Sequence, residues 1–219
     1  MKNTYDQEVF SCVFLEKNFD FLQLHNRLLL PGEKHPPKTL KSQWSLVKEG
    51  EFLFHAAVIV GGVLLSLGIG KWQRWREFLP TFYYWALFSC FYEYISYIGN
   101  KHLWEFDRNF ISLFVTETLY TFLFYPSMIV MFLGNFPDGR NKKIWHYFKW
   151  VSLSVLIEAL ALRFGAIKFN HGWSIVWEIF FYSTMYPMLR FHYKKPLHAL
   201  VLSVFFVLFY LVIFDYDLF

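Results

Sequence analysis

The sequence predicts an all-α fold: an integral membrane bundle of about six transmembrane helices behind an N-terminal interfacial segment. Composition points there first. Hydrophobic residues make up 56% of the chain and aromatic residues 23%, including 28 Phe, 14 Tyr and 9 Trp in 219 residues. Soluble domains hold to roughly half apolar. The spacing of charge is the second observation. Only 17% of residues are charged, and they gather between apolar runs of about 18 to 24 residues, the length that a hydrocarbon core of about 30 Å requires. Third, these runs have no polar face, so they cannot lie as surface helices in water.

Two regions follow along the chain: 1–50 as an extramembrane or interfacial segment and 51–219 as the transmembrane bundle. In the first, Phe10, Val13, Phe14, Phe21, Leu22 and Leu24 are interrupted by charges every few residues, so Glu8 to Leu30 fits an amphipathic helix lying in the interface. Pro31-Gly32 and Pro36-Pro37 then break it. The start lacks the basic, apolar pattern of a cleavable leader, so the first span is expected to serve as the insertion signal.

The expected spans are Phe52 to Ile69, Phe78 to Gly99, Phe110 to Leu133, Trp145 to Arg163, Trp173 to Leu189 and Leu197 to Phe214. Pro80 falls near the start of the second, and Pro126 predicts a kink late in the third. Asn135-Phe136-Pro137-Asp138-Gly139 reads as a turn. These six runs and their connections use most of the chain after residue 50, which leaves no room there for a second catalytic domain.

Short basic loops predict orientation. The loops after spans one, three and five carry Lys71, Arg74 and Arg76; Arg140, Lys142 and Lys143; and Arg190, Lys194 and Lys195. The loops after spans two and four carry fewer, and the tail is acidic through Asp215 and Asp217. This places the basic loops in the cytoplasm and both termini outside, although the basic N-terminal segment votes the other way. The net charge of +4 suits contact with anionic lipid. The basic residues form no stripe, so nucleic acid is not an expected partner; membrane lipid and other membrane proteins are. Cys12 and Cys90 fall in different regions and predict no disulfide, and Cys90 reads as a small buried hydrophobe.

From Lys71 onward the order of features is informative as a set. Arg74, Arg76 and Glu77 precede span two, and Leu103-Trp104-Glu105-Phe106 follows it. Pro126, Asn135-Phe136-Pro137, Trp145, Glu158, Gly165 and Trp173 come after in sequence. This order resembles a family of small, uncharacterised multi-pass membrane proteins of spore-forming Gram-positive bacteria. The resemblance covers about the last two-thirds of the chain. It implies a multi-pass topology and a bacterial cell membrane, and it carries no activity.

Chemistry is expected where ionisable groups enter the apolar runs, because each costs about 2.5 to 3.5 kcal/mol at a span centre. Glu93, Glu117, Glu158 and Glu178 occupy spans two to five, one to each. Each lies some five to seven residues from a span end, or roughly 8 to 10 Å at about 1.5 Å per residue. Because the spans alternate in direction, all four approach the membrane face that bears the N-terminus. His55 joins that layer from span one, and Arg163 borders it.

Hydroxyl groups recur at helical spacing: Glu178 with Tyr182 and Tyr186, Glu117 with Thr121 and Tyr125, Glu93 with Ser89 and Tyr97, and Glu158 with Ser154. Four uses of this layer are open. It can be structural glue between helices, a pocket for a cation, amine or proton relay, a metal site, or a lipid-processing active site. No His-rich ligand spacing supports a metal. No nucleophile elbow or phosphate loop supports a defined reaction. The residues therefore point to a membrane protein that binds a small ligand or cation, or serves as an accessory subunit. The binding candidates are Glu93, Glu117, Glu158, Glu178, His55, Arg163 and Tyr182, with no metal and no cofactor. The alternative is a membrane-embedded enzyme acting on lipid. The Trp residues at 72, 75, 104, 145, 173 and 177 read as interfacial belts, and Lys149 and His198 as side chains reaching the interface.

Overall fold

The structure is a computed structural model and describes residues 38–106 and 113–216. The amphipathic helix expected at Glu8 to Leu30, and Cys12, lie outside these residues. The chain divides into two units, Met1–Ser45 and Leu46–Phe219; apart from the start of the first helix, everything below concerns the second.

The described residues are mostly helical, in six helices. Helix α1 runs over Lys38–Ile69. It starts directly after Pro36-Pro37 and well before the apolar run that opens at Phe52. A single 3₁₀ turn, Trp72–Arg74, leads into α2 at Trp75–Ile98. Because α2 begins at Trp75, Pro80 falls in its second turn. Helix α3 has three parts: Leu113–Leu119, a π-helical turn at Tyr120–Phe124, and Tyr125–Gly134. The π turn sits immediately before Pro126, where widening the helix relieves the clash of the ring with the preceding turn. The Ser127 hydroxyl donates to the Leu123 carbonyl at 2.7 Å, which answers one of the disturbed backbone groups. Helix α4, Arg140–Arg163, follows Gly139, whose φ of 89° suits glycine. Helices α5 (Ile175–Lys194) and α6 (Pro196–Ile213) complete the set.

Two short strands lie outside the helices, β1 (Trp104–Phe106) and β2 (Ile167–Phe169). They pair antiparallel, with Trp104 opposite Phe169, Glu105 opposite Lys168 and Phe106 opposite Ile167. They join the α2–α3 and α4–α5 connections. Tyr92 of α2 holds β1 in place: its ring stacks on Trp104 at 5.3 Å, and its hydroxyl donates to the Trp104 carbonyl while accepting from the Trp104 N–H.

The core sits on the last part of α3. Met128 to Leu133 are all buried, against Phe78, Trp150, Tyr186 and Leu189 from α2, α4 and α5. Helix α1 reaches α3 closely at Gly62, where a Cβ would come within 2.8 Å of the Phe124 ring. At its far end the Asn135 amide donates to the carbonyls of Ile69 and Met131, at 2.9 and 3.0 Å, tying the α1 and α3 termini together. The end of α6 is held similarly. Lys101 Nζ donates to the carbonyls of Phe214 and Asp215, and Tyr216 donates back to the Lys101 carbonyl.

Among the described residues, three helices are long and apolar enough to cross a membrane: α1 over Phe52–Ile69, α3 over Val115–Gly134, and α6. The α3 segment is 50% buried inside the protein, and those of α1 and α6 only 17% and 11%. The exposed surface of α6 is a run of large apolar side chains, among them Leu197, Val201, Phe205, Leu208 and Val212. Cys90, read from the sequence as buried, is exposed on α2 beside Leu87 and Phe91. A run apolar on every side does not reveal which face meets protein.

Candidate functional site

The site is built where α4 and α5 pack side by side. On α5, Glu178 stands in the first turn, and its backbone N–H donates to the Ser174 carbonyl at 3.0 Å. The helix N-terminus favours an anion at that position. Only 4% of Glu178 is exposed. Its Oε1 accepts from the Trp173 indole N–H at 2.5 Å, and its Oε2 has no partner among the described residues. One turn on, Tyr182 donates to Glu158 Oε1 of α4 at 2.7 Å. A further turn along both helices, the hydroxyls of Ser154 and Tyr186 meet at 2.6 Å. Tyr186 also reaches Met128 Sδ at 3.4 Å. The four-residue spacings Glu178–Tyr182–Tyr186 and Ser154–Glu158 thus become two facing stripes joined rung by rung.

These stripes form part of the wall of a cavity of about 670 Å³, to which all six helices and both strands contribute. The wall is mainly apolar and aromatic. Trp104, Phe106 and Ile167 close it from the strand pair, and Trp173 and Phe181 stand beside Glu178. The carboxyl groups in the wall are those of Glu158 and Glu178, and the one basic wall residue among those described is Lys149. Lys149 precedes Glu158 by nine residues, roughly 13 Å along α4 at about 1.5 Å per residue.

The structure brings Glu158, Glu178 and Tyr182 to this cavity. The other four binding candidates, His55, Glu93, Glu117 and Arg163, lie outside its wall. His55 is fully buried behind it, with Nδ1 3.0 Å from the hydroxyl of Tyr120, itself a wall residue. Glu93 pairs with His102 at 3.9 Å, partly exposed. Glu117 lies on the first part of α3, partly buried. Arg163 is exposed at the end of α4 and makes no ion pair with a glutamate among the described residues. Among the described residues no three His, Cys, Asp or Glu side chains converge as ligands for a metal.

Trp173 and Trp104 are wall residues that the sequence reading set aside as belt residues. Trp75 and Trp145 are exposed, at 42% and 65%, whereas Trp173 is buried at 8%. What distinguishes Trp173 in the sequence is its position five residues before Glu178, across a helix start.

The opposite end of the molecule handles charge differently. Arg74 forms a two-point bond to Glu77, at 3.0 and 2.6 Å, and Tyr193 donates to the same carboxylate at 3.0 Å. The Arg74 hydrogen bonds, and then that of Tyr193, hold the Glu77 carboxyl below its ordinary range. Arg190 lies over the Phe136 ring at 4.3 Å.

No family model, no curated protein and no solved structure matches this chain.

Proposed function

We propose that the chain is a multi-pass protein of a bacterial cell membrane, of the spore-former family it resembles, and that it binds a small ligand in the cavity beside Glu158 and Glu178. All six helices cross in this reading, with the basic end in the cytoplasm. Helices α2, α4 and α5 are less apolar on average because they carry Tyr, Trp and terminal charges, but their outward faces support the crossing. Leu87, Phe91 and Ile98 on α2, Leu153, Leu156 and Leu160 on α4, and Val176, Ile179 and Phe180 on α5 are all exposed. Water-soluble surfaces rarely carry apolar area on that scale.

The observation that carries the ligand reading is a pair of carboxyl groups set in the wall of a mainly apolar cavity of about 670 Å³, within the size range of small-molecule sites. Leu65, Phe91 and Leu153 belong to both the wall and the exposed surface, which gives access from the lipid side. The test is thermal unfolding of the purified protein in a neutral maltoside detergent, screened against small amphiphiles. A stabilising compound is expected, and its effect should vanish in Val58→Trp, which fills the cavity from α1. A stabiliser that acts equally on both proteins, or none at all, contradicts the reading. A lipid-modifying enzyme is the second reading, favoured by the same two carboxyl groups in a cavity with an apolar wall; chemical change of the bound compound on incubation would select it.

A further inference from the structure

Resting on the ligand-binding reading above, we propose that the occupant is an organic cation: an alkyl amine or quaternary ammonium group seated between Glu158 and Glu178, with its hydrocarbon along the apolar wall.

Glu178 and Glu158 each receive one hydrogen bond, from an indole N–H and a phenol O–H. Both donors are neutral, and each carboxyl keeps its second oxygen without a partner among the described residues. Glu178 is more than nine-tenths buried, so water reaches it poorly. A buried carboxylate is tolerated when a positive charge or several donors answer it. Among the described residues none supplies a cation here, since Lys149 lies about two and a half turns down α4. An anionic ligand head, such as a carboxylate or phosphate, would add like charge beside the two carboxyls, with Lys149 roughly 13 Å away along α4, at about 1.5 Å per residue.

A cation fits on two grounds. Its charge favours the ionised form of the carboxyl pair and balances it, and aromatic rings able to attract it stand in the same wall. Trp173, Tyr182, Tyr120 and Tyr125 all line the cavity. Aromatic walls with an acidic residue are the general recognition mode for ammonium groups. The rest of the wall is mainly hydrocarbon and aromatic, which selects an amine that carries an apolar tail. A small hydrated metal ion would leave most of the cavity unfilled.

The test compares octyltrimethylammonium with its neutral tert-butyl isostere on the full-length protein in neutral detergent. Affinity is read from the saturable rise of the unfolding midpoint with concentration. The cation should stabilise and the isostere should not. Glu158→Gln and Glu178→Gln, which keep side-chain shape, should each weaken the cation by roughly tenfold or more while the ligand-free midpoint stays close to wild type. If an amide variant fails to fold, the isostere comparison on the wild type decides alone. Equal stabilisation by cation and isostere overturns the cation assignment and leaves cavity binding intact. Stabilisation by some other amphiphile, lost in Val58→Trp, with no effect of the ammonium compound, overturns it likewise. Failure of every amphiphile sinks the ligand reading itself. Added phosphatidylcholine separates the sources: competition with the ammonium compound makes the natural cation a lipid headgroup, and its absence makes it a free amine.

Discussion

The two ends of the molecule each hold glutamates, and they hold them by different means. At the basic end Glu77 is half-exposed and faces Arg74, a full opposite charge, with Tyr193 in support. At the acidic end Glu158 and Glu178 have no Arg or Lys as a partner among the described residues, and each accepts from a single neutral side-chain donor. In the open, charge pairing is easy and contributes little, because water screens it. In the cavity each donor matters more, because what replaces it is not water but an unanswered carboxyl. Glutamate at the basic end therefore serves the fold. At the acidic end its cost of burial needs another purpose.

The largest expected effect comes from removing the support of Glu178. Trp173→Ala takes out a buried ring as well as the donor and should cost about 3 to 5 kcal/mol. Trp173→Phe isolates the N–H and should cost about 1 to 3 kcal/mol. Chemical unfolding in detergent compares the two. If Trp173→Phe matches the wild type, the indole is only packing and the contrast between the ends weakens. Tyr182→Phe should cost less, about 1 kcal/mol, because Glu158 is less enclosed than Glu178 and the Ser154–Tyr186 rung below it remains. A cost equal to that of Trp173→Phe would mean that the two carboxyls are held alike.

The smallest effect belongs to the basic end. The Glu77 carboxyl is depressed in the folded protein, so its contribution is present above its unfolded pKa of about 4.3 and is lost as pH falls through the lower folded value. Glu77→Gln should therefore sit slightly below wild type near neutral pH and converge with it in acid. Parallel melting curves at all pH values would remove Glu77 from the account.

Much of the helical layout was legible, because apolar runs bounded by charge have few other solutions. Ile69 closes α1, Arg163 closes α4 and α6 opens at Pro196, all within a residue of expectation. The strand pair was not read, since three residues make no sustained period. A faint signal was present: Trp104-Glu105-Phe106 and Ile167-Lys168-Phe169 each alternate apolar, charged, apolar, with opposite charges. The site was half legible. Spacing alone aligned Tyr182 with Glu178 and Ser154 with Glu158, but which of four glutamates meet depends on helix rotation, and apolar residues on all sides give no bearing on that. Trp173 went unread for the same reason: an interfacial Trp and an inward one look identical in sequence.

The account requires the two ends to lie on opposite sides of the membrane with the cavity between them. Single cysteines at Asn141 and Asn170, introduced after replacing Cys12 and Cys90, test this with a membrane-impermeant maleimide. Labelling of the Asn141 site from the cytoplasm and of the Asn170 site from outside is the predicted result. Labelling of both from one side would contradict the six crossings, and with them the placement of Glu158 and Glu178 within the membrane.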